Sequence, residues 1–156
     1  AVGAFRCAYR LELLSAPHDF GLPSLMVAKE SRLPLSDIKA QAFEVAQLKS
    51  LSVARSLLST FIECVGSKSL TFIDCYGFRC QDSGKTRYLF VEKFLPGSYV
   101  KYNGNCGYVC PKYQARQLTV QERDVHDLAH AFSHFSWAHS EGKYLVCDIQ
   151  GVGTRF

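Results

Sequence analysis

Nothing in this sequence is apolar for long enough to cross a membrane. No run approaches the roughly 20 residues that a spanning helix needs, and no signal-peptide pattern opens the chain. Neither sign of charge dominates. Eighteen Lys and Arg against 14 Asp and Glu leave a net charge of +4. It is spread along the chain, too diffuse for a nucleic-acid surface and suited to an anionic small ligand or an acidic partner. No internal repeat, low-complexity tract or clear flexible linker occurs. With 47% hydrophobic and 21% charged residues, disordered, collagen-like and coiled-coil readings are excluded. The 156 residues suit one domain, or one and a half small lobes, with no nucleic acid and no membrane as partner.

Cysteine, by contrast, is well represented. There are seven, an odd number: Cys7, Cys64, Cys75, Cys80, Cys106, Cys110 and Cys147. Most lie in apolar runs, and a chain of this size can bury a core without staples. Buried thiols in a reducing, cytoplasmic compartment are therefore expected rather than a disulfide framework. The chain begins at Ala1 without Met and stops at Gly153-Thr154-Arg155-Phe156 just after a strand-like segment. Both features predict a piece of a larger polypeptide or assembly.

Alternation from Phe5 to Leu13 predicts a half-buried strand, with Phe5, Cys7, Tyr9, Leu11 and Leu13 on one face. After a loop at Ser15-Ala16-Pro17-His18-Asp19, Leu25 to Lys29 reads as its antiparallel partner. Ser36 to Phe61, free of Gly and Pro, predicts helix in one or two pieces, with Ser36 as a cap. Thr71–Cys80 and Lys85–Lys93 predict two strands around the turn Gln81-Asp82-Ser83-Gly84. An Asn- and Gly-rich loop follows Pro96-Gly97. Thr119-Val120-Gln121-Glu122 is a capping box. Behind it Val125, Leu128, Ala129, Phe132 and Phe135 recur at helical spacing, up to Gly142. Tyr144 to Ile149 reads as a last apolar strand. Trp137, Phe132 and Phe135 read as core.

Several residues could carry chemistry. Lys29 ends an apolar strand and must bring its ammonium to a polar partner. It is either a snorkelling strand-end lysine or a phosphate-binding point charge, with Arg6 on the paired strand reaching the same anion. Asp148 ends an apolar run before Gln150, Gly151 and Gly153. There it is either a turn-capping Asp or an active-site carboxylate on rigid backbone. Asp82-Ser83-Gly84-Lys85-Thr86 imitates the end of a phosphate-cradling loop. However, six residues separate Gly77 from Gly84 where that motif needs four, and no helix pattern follows, so a hairpin turn is the reading. Cys106-x3-Cys110, 15 residues and His126-x3-His130 imitate a zinc-finger spacing. The plainer reading, a solvated helix face with two loop cysteines, is preferred.

Together these segments resemble the alpha-kinase family of atypical serine/threonine protein kinases, and within it the elongation factor 2 kinase and myosin heavy chain kinase branch. Ala131-Phe132-Ser133-His134-Phe135 and Leu145-Val146-Cys147-Asp148-Ile149-Gln150-Gly151-Val152-Gly153 resemble its central signature. Val91-Glu92-Lys93-Phe94 with Gly97, then Val100-Lys101-Tyr102-Asn103-Gly104-Asn105-Cys106-Gly107, resemble its hinge and the segment after it. Gly3-Ala4-Phe5-Arg6 and Val27-Ala28-Lys29 resemble its phosphate strands. The resemblance implies an α+β, two-lobed protein-kinase-like fold over 1–156, with a sheet-rich N-lobe of about 1–93 and part of a C-lobe over about 97–156. It implies transfer of the γ-phosphate of Mg-ATP to Ser or Thr of a protein substrate. Lys29 would bind the α- and β-phosphates with help from Arg6. Glu92 and Phe94 would meet the adenine largely through backbone groups. Asp148 would orient the acceptor hydroxyl, and Gln150 would supply the metal-ligand amide for Mg2+. His134 matches the family's first zinc ligand, so Zn2+ is implied only in a longer chain. The remaining zinc ligands and the second metal-binding Asp follow the signature in the family and are absent from these 156 residues. The alternatives are a catalytically inactive pseudokinase-like module and a small zinc-binding module using Cys106, Cys110, His126 and His130.

Overall fold

The computed structural model describes residues 6–13, 21–66, 70–108, 110–114 and 116–156. The Gly3-Ala4-Phe5 part of the first phosphate strand and the loop at Ser15–Asp19 lie outside the described residues. The elements in order are β1 (Arg6–Glu12), β2 (Leu25–Ser31), α1 (Asp37–Val65), β3 (Cys75–Asp82), β4 (Lys85–Lys93), β5 (Val100–Lys101), α2 (Pro111–Gln114), α3 (Val120–His139) and β6 (Gln150–Gly151). The chain divides into two compact units, residues 1–51 with 73–94 and residues 52–72 with 95–156.

The first unit holds an antiparallel four-stranded sheet in the order β1-β2-β4-β3. Alternation along each strand sorts its side chains into two faces. Leu11 pairs with Met26, Ala28 with Val91 and Val91 with Tyr76. Met26, Ala28, Leu89 and Val91 are buried there, with Leu11, Leu13, Tyr76, Phe78 and Cys80 packed around them. The edge position of β1 leaves Tyr9 exposed. The opposite face carries Arg6, Lys29, Phe90 and Glu92. The N-terminal half of α1 lies over it, with Phe43 against Arg6 and Leu48 over Gly77. The hairpin β3-β4 turns at Ser83 and Gly84, whose φ values of 50° and 80° are those a two-residue type I′ turn requires. That geometry confirms the hairpin and excludes a phosphate loop.

The second unit is built on aromatic packing. Leu58, Phe61, Leu70, Tyr102, Ala129, Phe132, Ile149 and Phe156 form its core. Ring pairs Phe61–Phe132 at 5.5 Å and Tyr102–Phe156 at 5.4 Å lie tilted or edge-on, the arrangement that aromatic quadrupoles favour. The α3 stripe packs as its spacing predicts. Thr119 caps α3: its hydroxyl accepts from the Glu122 N–H at 3.2 Å, while the Glu122 carboxylate accepts from the Thr119 N–H at 2.8 Å. A cap of this kind stabilises the first turn of the helix. The Thr119 N–H, then its hydroxyl, hold the Glu122 carboxyl below its usual pKa. This contribution is therefore present above the ordinary carboxylate range and is lost as pH falls through the lowered value.

Four expectations need correction. The helix is one piece, Asp37–Val65, and runs past Phe61. The strand expected from Thr71 starts at Cys75; Thr71 itself bridges to Arg155. Trp137 is 51% exposed rather than core. Tyr144–Ile149 is not a strand, for a reason given by its hydrogen bonds below. No disulfide joins any of the seven cysteines, and only Cys110 is buried. Among the described residues no helix is long and apolar enough to cross a membrane.

Candidate active site

In the first unit, Lys29 and Glu92 face the same side of adjacent strands, and their ion pair closes to 2.5 Å. Both are mostly buried, at 22% and 14% side-chain exposure, so the pair satisfies each charge where water is scarce. Phe90, opposite Lys29 in the register, has the Arg6 guanidinium over its ring at 5.2 Å. The Phe43 ring lies at the same distance from that guanidinium. Arg6 is thus held between two aromatic faces, a placement worth about 1 kcal/mol or more when desolvated. Its Nη2 is nevertheless buried with no hydrogen-bond partner. A buried guanidinium donor left open is the group an anion would take. Glu44, buried on α1, also has one unpartnered oxygen. Burial raises its pKa, and the nearby Arg6 charge opposes that rise. At the end of β4, the Phe94 N–H donates to Leu25 O at 3.3 Å.

In the second unit, Asp148 adopts a left-handed backbone with φ of 58°. That conformation is disfavoured for residues with a Cβ, although Asp tolerates it better than most. Its carboxylate meets the Lys101 ammonium at 2.8 Å. Lys101 in turn lies over the Tyr108 ring and pairs in register with Gln150, whose side chain is exposed. Beside it, burial and then the Asp148 charge raise the Cys147 thiol pKa.

The Val146–Ile149 backbone takes its hydrogen bonds from side chains. The Val146 N–H donates to Ser136 Oγ at 2.8 Å, and Val146 O accepts from the Ser133 hydroxyl. The Ile149 N–H donates to Asn103 Oδ1 at 3.0 Å. Ile149 O accepts from a backbone partner, the Tyr102 N–H at 2.9 Å. Backbone groups satisfied this way have no need of a strand ladder, and the left-handed Asp148 breaks the extended path, so this apolar run is not a strand.

The zinc-finger-like spacing does not assemble a site. Cys106 is exposed and Cys110 buried, and among the described residues no group of three or more His, Cys, Asp or Glu converges as metal ligands. Nor is the helix face solvated as expected. His126 is fully buried, stacked on Tyr113 at 3.9 Å and on His130 at 4.5 Å. Burial, then the His130 charge, lower its pKa. His134 is exposed on α3.

The structure therefore brings Lys29 to Glu92 with Arg6 alongside, and Asp148 to Lys101 with Gln150 alongside. Sequence reasoning assigned no role to Lys101, Asn103 or Glu44. A lone carboxylate within Ala42-Phe43-Glu44-Val45 was the available signal for the last. For the other two it was the Lys101–Gly107 stretch itself.

Comparison with known proteins agrees with this geometry. The model of the alpha-kinase family matches residues 1–156. Alpha-protein kinase 1 of Dictyostelium discoideum is 31% identical over all of this chain, which covers 10% of that protein. Eukaryotic elongation factor 2 kinase of Caenorhabditis elegans is 43% identical over 66 residues, 42% of this chain and 7% of that protein. The chain thus spans a small part of these curated relatives. Among solved structures, the alpha-kinase domain of myosin heavy chain kinase A in complex with ADP superposes with a TM-score of 0.65 at 22% identity, covering 100% of this chain and 68% of that one. The fold is thus the mixed α+β kinase fold with a sheet-rich N-terminal unit, and the chain belongs to the alpha-kinase family.

Proposed function

We propose that this chain serves as an alpha-type protein kinase domain, transferring the γ-phosphate of Mg-ATP to a Ser or Thr hydroxyl of a protein substrate. The observation that carries the reading is Asp148, an acidic residue in a left-handed backbone, fixed by side-chain hydrogen bonds and paired with Lys101 at 2.8 Å. Non-glycine residues held in this conformation cluster at functional sites. Relatives that are alpha-kinases, and neighbours solved with ADP and with ATP, support it.

Phosphoryl transfer is mostly positioning and charge neutralisation. Lys29 and Arg6 bind phosphate oxygens; the open Nη2 of Arg6 fits that task, and Lys29 exchanges Glu92 for phosphate. Glu92 and Phe94 meet the adenine through backbone groups. Asp148 accepts a hydrogen bond from the acceptor hydroxyl and orients it, while Lys101 steadies the carboxylate and the developing charge. The amide oxygen of Gln150 and the Asp148 carboxylate are hard oxygen donors, the type Mg2+ takes together with nucleotide phosphates. When bound, the ion would neutralise phosphate charge. His134 is exposed and no donor set converges around it among the described residues, so these residues by themselves assemble no zinc site.

Lys29→Met should weaken ATP binding about 10- to 100-fold, the worth of a hydrogen bond to a charged group. Calorimetric titration with Mg-ATP, run below the melting midpoint, reads this; the midpoint itself should fall, because the variant leaves the mostly buried Glu92 carboxylate without its partner. Unchanged affinity in a folded variant would remove Lys29 from the site. Nucleotide binding without any transfer to protein acceptors would instead make the chain a binding module.

A further inference from the structure

Three side chains outside the nucleotide and metal assignments set the course of the segment that bears Asp148. Ser133 and Ser136 stand one turn apart on α3, and Asn103 lies just after β5. Ser136 is fully buried; it donates to Ser133 O at 2.7 Å and accepts from the Val146 N–H. Asn103 is 6% exposed. Its Oδ1 accepts from the Ile149 N–H at 3.0 Å, and its Nδ2 donates to Ser133 Oγ at 2.8 Å.

The direction of these bonds is determined. A backbone N–H can only donate, so the amide oxygen of Asn103 must face Ile149 and its NH2 must face Ser133. The Ser133 hydroxyl has one proton, and it goes to Val146 O. A single consistent relay results, from Asn103 through Ser133 to Val146. It grips the backbone on both sides of Asp148, at residues 146 and 149. The segment from Lys101 to Asn103 is braced from the same helix, because His130 Nε2 lies 3.2 Å from Tyr102 O.

We propose that Asn103 and Ser133 are positioning residues for Asp148. Their relay holds the left-handed backbone and thereby aims the carboxylate toward Lys101 and the acceptor hydroxyl. The effect on rate rests on the kinase reading above; the geometric effect does not.

Serine133 can be varied without removing Asn103 or any assigned site residue. The test compares Ser133→Ala, Ser133→Thr and Ser133→Val in the full chain by steady-state phosphotransfer and by amide exchange at Ile149. Ser133→Ala and Ser133→Val should lower kcat about 10- to 100-fold, as small misplacements of a reacting group do. KM for ATP should stay within about twofold, because the nucleotide contacts are untouched. Ser133→Thr, which keeps the hydroxyl, should restore most of kcat. Ser133 does not hydrogen-bond Ile149, yet losing the relay should release Asn103 and speed Ile149 exchange about tenfold or more in the Ala and Val variants alone. Val and Thr are nearly isosteric, so a packing role predicts equal behaviour for them. Equality in rate and exchange, or Ile149 exchange unaltered in Ser133→Ala, would overturn the proposal. If the wild-type chain transfers no phosphate, the kinase reading fails and the exchange comparison alone decides the relay. Faster exchange in Val than in Thr upholds it, and equal exchange overturns it.

Discussion

Asp148→Asn will lower phosphotransfer by about 10²- to 10⁴-fold, the range that a positioned acid–base group supplies. The substitution leaves the shape of the side chain and removes its charge. Asn tolerates the left-handed backbone as Asp does, so a φ of 58° stays accessible and the fold should survive. Affinity for ATP without magnesium should change little, because Lys29 and Arg6 are unaltered. Asp148→Gly separates the two functions of the position. It should be as inactive as Asn while melting no lower than wild type, since glycine adopts positive φ without strain. Initial rates per folded molecule, nucleotide titration and melting curves measure all three. A rate within about threefold of wild type for Asp148→Asn would deny the carboxylate its role.

Gly151→Ala should have the largest structural effect. A Cβ placed there would lie 1.9 Å from Arg155 O and 2.9 Å from Phe156 Cα. Both obstacles are backbone, so no side chain can swing aside. The turn beyond β6 brings the chain back: Val152 and Arg155 exchange backbone bonds, and the Phe156 N–H donates to Thr71 O at 2.9 Å. Accommodating the methyl would break this closure and pull Phe156, 8% exposed, out of the core beside Tyr102 and Phe72. The expected cost exceeds about 3 kcal/mol, at the severe end for overpacking. Denaturant melts of the purified chain would show it as a lowered midpoint or as failure to fold. A variant within about 1 kcal/mol of wild type would mean that the Arg155 turn yields easily.

Local pattern made much of this molecule readable. Alternating side chains foretold the β1-β2 and β3-β4 pairs, because one face of the sheet packs apolar side chains together while the other carries most of the polar ones. The Thr119 capping box and the stripe from Val125 to Phe135 foretold α3. The signature around Asp148 pointed to the family. Other features depend on partners distant in sequence. An apolar extended run reads the same whether its amides meet a strand or the hydroxyls of Ser133 and Ser136, so Tyr144–Ile149 was expected as a strand. His126 was expected in water because its cover, Tyr113, comes from the four-residue helix α2, which has no periodicity to announce it. The Lys101–Asp148 pair joins residues 47 apart, and Arg6 reaches Phe90 across the sheet; neither spacing marks a contact.

The two aromatic rings around Arg6 govern more than its orientation. Mobile ions weaken attraction between charges in open solvent over about 8 Å at physiological ionic strength. The rings of Phe43 and Phe90, with Nη2 buried behind them, keep that ionic atmosphere away from the guanidinium. Its pull on an anion should therefore persist in concentrated salt, where exposed cations such as Lys112 and Lys143 lose theirs.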